Sequence, residues 1–185
     1  MLFDITLKVT PELYQEALTN PDRNIGHMGT HFDVMNKEFP LAFTRLQGRV
    51  FDVSGIRGRD ITSEDVDLSL LAPGMFVAFH TGWLAENSYG TKEYFAGHPQ
   101  LAVELIDQLL AKGLSIIGID GGGVRRGKEH TPMDQHCADH DCFIIENMCG
   151  LDAVLAHGGS FVAHTYPLHF EGWTGLPCRV IAEVD

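Results

Sequence analysis

The hydrophobic and polar positions of this chain form short apolar runs separated by polar turns, together with longer amphipathic stretches. A helix is predicted to begin at Pro11, with Thr10 as its N-cap. A second is predicted to begin at Pro99 and to stop at Gly113, because apolar residues recur three and four positions apart between them. A helix is also expected after Ile145. Buried or half-buried strands are predicted over residues 2–9, 48–54, 75–81, 115–119, 142–145, 161–164 and 179–184.

This mixture of strands and helices predicts an α/β fold with a mixed sheet. The chain has 185 residues, which favours a single domain spanning residues 1–185. Hydrophobic residues make up 44% and charged residues 21%, so a packed core is expected.

The net charge, the length of the apolar runs and the first residues of the chain limit the partners that we expect. A net charge of −12 argues against nucleic acid, whose phosphates require a basic surface. No apolar run is long enough to cross a bilayer, and the first residues lack the basic region of a signal peptide. We therefore expect a cytoplasmic protein with no membrane partner. The cysteines form no C-x-x-C pair, so reduced thiols are expected rather than a zinc ribbon.

Candidate metal chemistry is concentrated in the segment His27-Met-Gly-Thr-His31-Phe-Asp33. Residues 26–34 are predicted to be extended, so His27, His31 and Asp33 would point to one face, because side chains alternate along a strand. Gly29 on the same face would leave room for an ion or a substrate atom. Two imidazoles and a carboxylate suit a divalent metal such as Zn²⁺ or Mn²⁺. The alternative is three unrelated polar residues near a surface turn.

A second group of metal-binding residue types spans His136 to Glu146. Glu146 ends an apolar strand, where a carboxylate is costly unless it has a partner. A metal ion would supply that partner, with His136 and His140 in reach as imidazole donors. The alternative is a solvated loop with a carboxylate at the end of a strand.

The glycine-rich segment from Gly122 to Lys128 resembles a phosphate-binding P-loop, but it departs from that motif. Glu129 stands where a Ser or Thr should bind magnesium. Pro132 is predicted to block the helix that should follow the loop. These residues are therefore interpreted as a flexible glycine turn. His80 ends a predicted strand, where it would either face a cleft or be satisfied by the backbone.

Together these residues resemble the cyclase family of metal-dependent hydrolases, which includes bacterial kynurenine formamidase and isatin hydrolase. The resemblance extends over nearly the whole chain. Its motifs are Asp4-Ile5-Thr6, His27-x-Gly29-Thr30-His31-x-Asp33, Thr81-Gly82-Trp83, Tyr94-Phe95, His98-Pro99, Ile117-Gly118-Ile119-Asp120, Ile144-Ile145-Glu146-Asn147 and Thr174-Gly175-Leu176-Pro177-Cys178-Arg179.

The resemblance implies a swivelling β/β/α fold, a homo-oligomer such as a dimer or tetramer, and one or two divalent metal ions, Zn²⁺ or Mn²⁺, per subunit. It assigns His27, His31 and Asp33 to one metal, with Asp33 able to bridge to a second. Glu146 matches the late carboxylate ligand. His136 is the best match to the late histidine, although its spacing to Glu146 is shorter than in the family, which leaves His140 as the alternative.

The chain departs from the family at Lys37. The family usually has a catalytic histidine in Asp-x-Pro-x-His, whereas this chain has Asp33-Val-Met-Asn-Lys37. Lysine can act as a general base when its pKa is depressed, or it can stabilise an oxyanion. Lys37 is therefore the candidate catalytic residue, and an ordinary surface lysine is the alternative.

The predicted function is hydrolysis of a carbon–nitrogen amide-type bond in a small molecule by metal-activated water. A formamide or a cyclic amide is the expected substrate, as in an arylformamidase. A non-catalytic relative that binds a metal or a ligand on the same fold is the alternative.

Overall fold

A closed mixed sheet with helices packed against it forms the fold. The structure is a computed structural model that describes residues 1–19 and 25–185. The strands are β1 (Leu2–Asp4), β2 (His31–Asp33), β3 (Arg45–Asp52), β4 (Phe76–His80), β5 (Ile116–Ile119), β6 (Phe143–Glu146), β7 (Ser160–Pro167) and β8 (Gly175–Glu183). The helices are α1 (Pro11–Thr19), α2 (Trp83–Glu86), α3 (Lys92–Gly97), α4 (Val103–Ala111), α5 (His130–Asp139) and α6 (Leu151–Leu155).

Seven strands close the sheet in the order β8-β2-β6-β5-β4-β3-β7, because β7 also pairs with β8. The neighbours β3, β4, β5 and β6 run parallel, and the remaining pairs are antiparallel. β1 pairs antiparallel with residues 181–183 of β8, beyond residues 175–177 that pair with β2. The predicted mixed α/β sheet is confirmed.

Two apolar clusters pack on opposite faces of the parallel strands. Phe76 and Ala78 of β4 belong to one cluster, whereas Val77 and Phe79 belong to the other, which also takes the buried stripe of α4. Because both faces are covered, these strands are continuous hydrophobic runs in the sequence. A polar side chain on one of these strands must therefore face the end of the sheet or a partner.

Most predicted elements are present, with shifted ends. β1 is shorter than the predicted strand over residues 2–9. The second predicted helix starts at Val103 instead of Pro99, because Leu101 is drawn into a bridge with Ile61 and donates its N–H to the carbonyl of Val124. Within the described ranges, no helix is long and apolar enough to span a bilayer.

Two predictions around the candidate site are wrong. The segment 26–34 is not one extended strand: His27 ends a 3₁₀ turn that begins at Ile25, Gly29 has φ +66°, and the strand is only His31–Asp33. Pro132 does not block a helix, because α5 begins at His130 and includes it. A proline is tolerated in the first turn, where N–H groups have no intrahelical partner.

Candidate metal centre

His27, His31 and Asp33 converge, although only two of them come from a strand. The Nδ1 atom of His27 lies 2.9 Å from Oδ1 of Asp33, and Nε2 of His31 lies 3.6 Å from the same oxygen. His31 and Asp33 share a face of β2, while the 3₁₀ turn swings His27 onto that face. Each residue can offer one ligand atom, with all three atoms within 4.8 Å of one another.

The backbone of Gly29 fixes the orientation of His31. Its carbonyl accepts hydrogen bonds from Nδ1 of His31 and from Nδ2 of Asn147, each at 2.9 Å. Because a carbonyl only accepts, Nδ1 carries a proton, and in the neutral imidazole the lone pair of Nε2 faces the site. Asn147 is itself held by the hydroxyl of Tyr94, which donates to Oδ1 at 2.7 Å. A ligand histidine anchored in this way is typical of metal sites.

A second group is formed by His130 and Asp134 of α5 and Glu146 of β6. His130 and Asp134 lie four residues apart, so they share one face of the helix. Nε2 of His130 is 3.4 Å from Oδ2 of Asp134 and 3.5 Å from Oε1 of Glu146. Asp134 and Glu146 are buried, whereas 31% of the His130 side chain is exposed, so this group is reachable from solvent.

Glu146 connects the two groups. Its Oε2 atom lies 3.6 Å from Nε2 of His31, while Oε1 faces His130. Two ligands held about 2.0–2.1 Å from a tetrahedral ion are roughly 3.3–3.5 Å apart. The contacts of His31 and His130 with the carboxylates, at 3.4–3.6 Å, are close to that value and longer than ordinary hydrogen bonds, whereas His27 and Asp33 lie at hydrogen-bond distance.

Three carboxylate oxygens in this cluster are buried without a hydrogen-bond partner: Asp33 Oδ2, Asp134 Oδ1 and Glu146 Oε1. An unpaired buried carboxylate is costly, and native sites that contain several of them need a compensating charge. Imidazole nitrogens and carboxylate oxygens are ligands that Zn²⁺ and Mn²⁺ accept. The residues present therefore fit a divalent metal ion.

The directions in which the pKa values of the buried side chains are shifted also indicate that the cluster fits a dication. Burial, followed by the negative charge of Asp33, raises the pKa values of Asp134 and Glu146 well above their ordinary range. Burial also acts to raise the pKa of Asp33, but the charges and hydrogen bonds of His31 and His27 hold it below its usual value. Burial opposes the imidazolium form of His31, but Asp33 and the carbonyl of Gly29 raise its pKa overall. A dication would favour all three carboxylates as anions.

The structure does not bring His136 to Glu146. Its Nε2 atom lies 2.9 Å from Oδ1 of Asp107 on the surface, and its ring packs against His140. The reason is helical geometry: two residues beyond Asp134 is about 200° around the axis, so His136 faces away from the cluster. His140 Nδ1 donates to the carbonyl of His136, so it lies outside the cluster too. The side chains that lie beside Glu146 are those of His130 and Asp134, where His136 or His140 was expected.

Lys37 forms a surface ion pair with a residue outside both groups of candidate metal ligands. Its Nζ atom forms an ion pair with Oδ1 of Asp139 at 2.9 Å, and 37% of its side chain is exposed. The partner lies at the C-terminal end of α5. The contacts of Lys37 are therefore those of a surface lysine, and its predicted catalytic role gains no support from the geometry.

The glycine-rich segment supports the metal centre instead of forming a flexible turn. Gly121, Gly122 and Gly123 are buried. A Cβ atom on Gly123, whose φ is +120°, would lie 2.5 Å from Nδ1 of His130. Only glycine allows the backbone to approach His130 this closely. The carbonyl of Arg125 then accepts the proton of Nδ1 at 3.1 Å, which turns Nε2 toward Glu146.

His80 lies on the other side of the sheet from the metal groups. It shares a face of β4 with Phe76 and Ala78, and its Nδ1 atom pairs with Oδ2 of Asp120 at 3.2 Å. Ile144, which shares its face of β6 with Glu146, belongs to the opposite cluster.

The sequence signal that could have identified the second group was the spacing His130-x-x-x-Asp134. It was not recognised because the preceding glycines resembled a P-loop and Pro132 was predicted to block a helix.

Comparison with known proteins agrees with the fold. The Cyclase family model matches residues 3–125, about two thirds of the chain. No curated protein sequence matches the chain significantly.

Solved structures match over nearly the full length. A potential metal-dependent hydrolase with cyclase activity has a TM-score of 0.78 at 22% identity, with coverages of 98% of this chain and 96% of that protein. A predicted metal-dependent hydrolase from Bacillus stearothermophilus has a TM-score of 0.77 at 21% identity, with coverages of 98% and 97%. Isatin hydrolase A from Ralstonia solanacearum has a TM-score of 0.78 at 17% identity, with coverages of 100% and 92%. The chain has the fold of these proteins and belongs to the Cyclase family.

Proposed function

We propose that this protein is a metal-dependent hydrolase that cleaves a carbon–nitrogen amide-type bond in a small molecule, with a formamide or a cyclic amide as substrate. The observation that carries the proposal is the set of three buried, unpartnered carboxylate oxygens on Asp33, Asp134 and Glu146, placed among His27, His31 and His130. The similarity of the fold to metal-dependent hydrolases and isatin hydrolases supports the choice of reaction.

Each ligand residue has a defined task. His27, His31 and Asp33 would hold one ion, and His130, Asp134 and Glu146 would hold a second or complete the coordination of the first. When bound, a divalent ion supplies Lewis acidity for the amide carbonyl and an activated water. Gly29 and Asn147 orient His31, and Gly123 lets the backbone hold His130. Preorganised ligands of this kind avoid reorganisation during the reaction.

The proposal is tested by metal analysis combined with an activity screen. Protein purified without added metal is analysed for elemental content, and the Zn²⁺-loaded and Mn²⁺-loaded forms are assayed against formanilides, lactams and cyclic imides. We expect one or two ions per chain and turnover of at least one amide that disappears on chelation. Full metal occupancy with no turnover of any amide contradicts the proposal.

A second function is favoured by one observation. Lys37 stands where the family pattern has histidine, and it is bound to Asp139 on the surface. A protein that keeps the ligands but lacks the proton-transfer group would bind a metal and a small molecule without cleaving it. Ligand-dependent thermal stabilisation of the metal-loaded protein, in the absence of turnover, identifies this case.

A further inference from the structure

An open cavity of about 540 Å³ lies against the glycine-rich segment that precedes His130, and its volume is in the range of small-molecule sites. The glycine-rich segment connects the cavity to the candidate metal centre along the chain: the ring of Phe95 lies against Gly122, and Glu129 directly precedes His130 in the sequence. The cavity is lined by Phe95, Ala96, Gln100, Arg126, Gly127 and Glu129.

Arg126 brings a positive charge to this cavity with no carboxylate to balance it. Its Nη1 atom donates to the carbonyl of Ala96 at 2.7 Å, which is a neutral acceptor. Within residues 1–19 and 25–185, no acidic side chain forms an ion pair with it. The adjacent Arg125 differs, because its guanidinium is bound by Asp60 and Glu129. Arg126 therefore keeps N–H donors and a full charge for a ligand.

The neighbouring polar groups favour an anion as well. Gln100 uses Oε1 to accept the backbone N–H of Arg126 at 2.7 Å, which turns its amide N–H₂ group away from that bond and leaves it as a donor. Glu129 is the acidic residue of the lining, and its carboxylate is held by Arg125 at 3.0 Å from Nε and 2.5 Å from Nη2. The repulsion that Glu129 would exert on an anion is thereby reduced.

The charge of Arg126 also reaches a buried neighbour. Burial is the main reason that the pKa of His98 is lowered to about 4, and the positive charge of Arg126 acts in the same direction. His98 therefore stays neutral near pH 7 and does not compete with Arg126 for an anion. Arg126 is the cationic residue among those that line the cavity, in a chain whose net charge is −12.

We infer that this cavity binds the anionic end of the substrate, with Arg126 and Gln100 contacting a carboxylate and Phe95 packing against the apolar body. The inference rests on the proposed function, because it places the scissile amide toward the metal groups. It narrows the substrate class to amides that carry a carboxylate group. A guanidinium binds a carboxylate through two parallel hydrogen bonds, which gives orientation as well as affinity.

The first test is binding, which does not depend on turnover. Benzoate is titrated calorimetrically into metal-loaded wild type, Arg126→Gln and Lys128→Gln. The last variant removes the same charge from an exposed position in the same loop. Losing a charge-assisted hydrogen bond should weaken benzoate binding about 10–100-fold in Arg126→Gln, whereas Lys128→Gln should change little. Arg126→Lys, which keeps the charge, should recover part of the affinity.

The outcomes separate this inference from the proposed function. Equal benzoate affinity in wild type and Arg126→Gln, or no binding to wild type, overturns the anion subsite, because benzoate held by the metal alone would not depend on Arg126. If binding depends on Arg126 but no amide is hydrolysed, the subsite stands and the proposed function fails. Once a hydrolysed amide is known, a matched pair with and without a carboxylate is compared. Arg126→Gln should lower kcat/KM only for the anionic member.

Discussion

His31 and Glu146 face each other at the same register position of the antiparallel pair β2–β6, with Nε2 and Oε2 separated by 3.6 Å. Both side chains are buried, and the two strands are joined by their backbone pairing. Placing an imidazole and a carboxylate at this position is costly unless a cation joins them. This pairing places ligands from two distant segments of the chain in one site.

His31→Ala should remove most bound metal and lower the melting temperature of the metal-loaded protein. A ligand that binds only the folded state stabilises it by about 2.7 kcal/mol at 100 times its Kd, and the variant loses that contribution. Elemental analysis and thermal melts with and without chelator measure both effects. His157→Ala is the matched control, because this exposed histidine bonds the carbonyl of Ala153. Full metal occupancy in His31→Ala would rule out the assignment.

His130→Ala should weaken metal binding at least tenfold, while His136→Ala should leave it unchanged. The two residues lie on the same helix, but only His130 faces Glu146, and His136 pairs with Asp107 at the surface. Competition titration with a metal chelator measures the affinities. The reverse ranking would show that α5 is rotated in the metal-bound protein.

Glu146→Gln should weaken metal binding more than Glu129→Gln, by about tenfold or more, since it removes one of the charges that balance a dication. Glu129 binds Arg125 and contributes to neither metal group. The metal-free melting temperature of Glu146→Gln should not fall, because Oε1 of Glu146 has no hydrogen-bond partner to lose. Equal metal affinities in the two variants would contradict the role of Glu146.

The sequence predicted the first metal group and Glu146 of the second, but not His130 or Asp134, and the reason is physical. His27, His31 and Asp33 are close in sequence, so their convergence needs only local geometry; even with the wrong conformation at His27, the three side chains meet. The second group depends on how α5 packs on β6, which no local pattern specifies. The resemblance to the family favoured His136 over His140, whereas His130 lies between the segment interpreted as a glycine turn and the proline that was predicted to block a helix. The mixed sheet was predictable from the apolar runs, whereas its closure by β7 and β8 depends on long-range pairing.

His80→Gln should destabilise the protein more at low pH than at high pH. The hydrogen bond and the charge of Asp120 raise the pKa of His80, while burial opposes the shift. A group whose pKa is raised on folding contributes stability that is fully present below its unfolded pKa of about 6.5, and this is lost as pH rises through the folded value. Urea unfolding of both proteins at about pH 5.5 and about pH 9 measures the difference. A larger destabilisation at the higher pH would contradict the sign.

Lys37→Met should leave turnover within about threefold of wild type, because the structure holds the ammonium group in a surface pair with Asp139. Exposed pairs of this kind contribute about 0–1 kcal/mol, so the variant should also fold normally. Methionine keeps most of the side-chain length while removing the amine, which makes it a cleaner change than alanine. The measurement is kcat on an amide found in the activity screen, with metal content determined in parallel.

Asp139→Asn provides the matched control for Lys37, since it breaks the same pair while keeping the lysine. If Lys37 transferred a proton, Lys37→Met would lower kcat by about 10²–10⁴ at unchanged metal content. Asp139→Asn would then preserve activity or raise it, because the freed ammonium could move toward the substrate. Lys37→His would further shift the pH optimum toward the imidazole range. That combination would establish Lys37 as the functional replacement of the family histidine, whereas unchanged kcat in all three variants would restrict proton transfer to other groups at the metal centre.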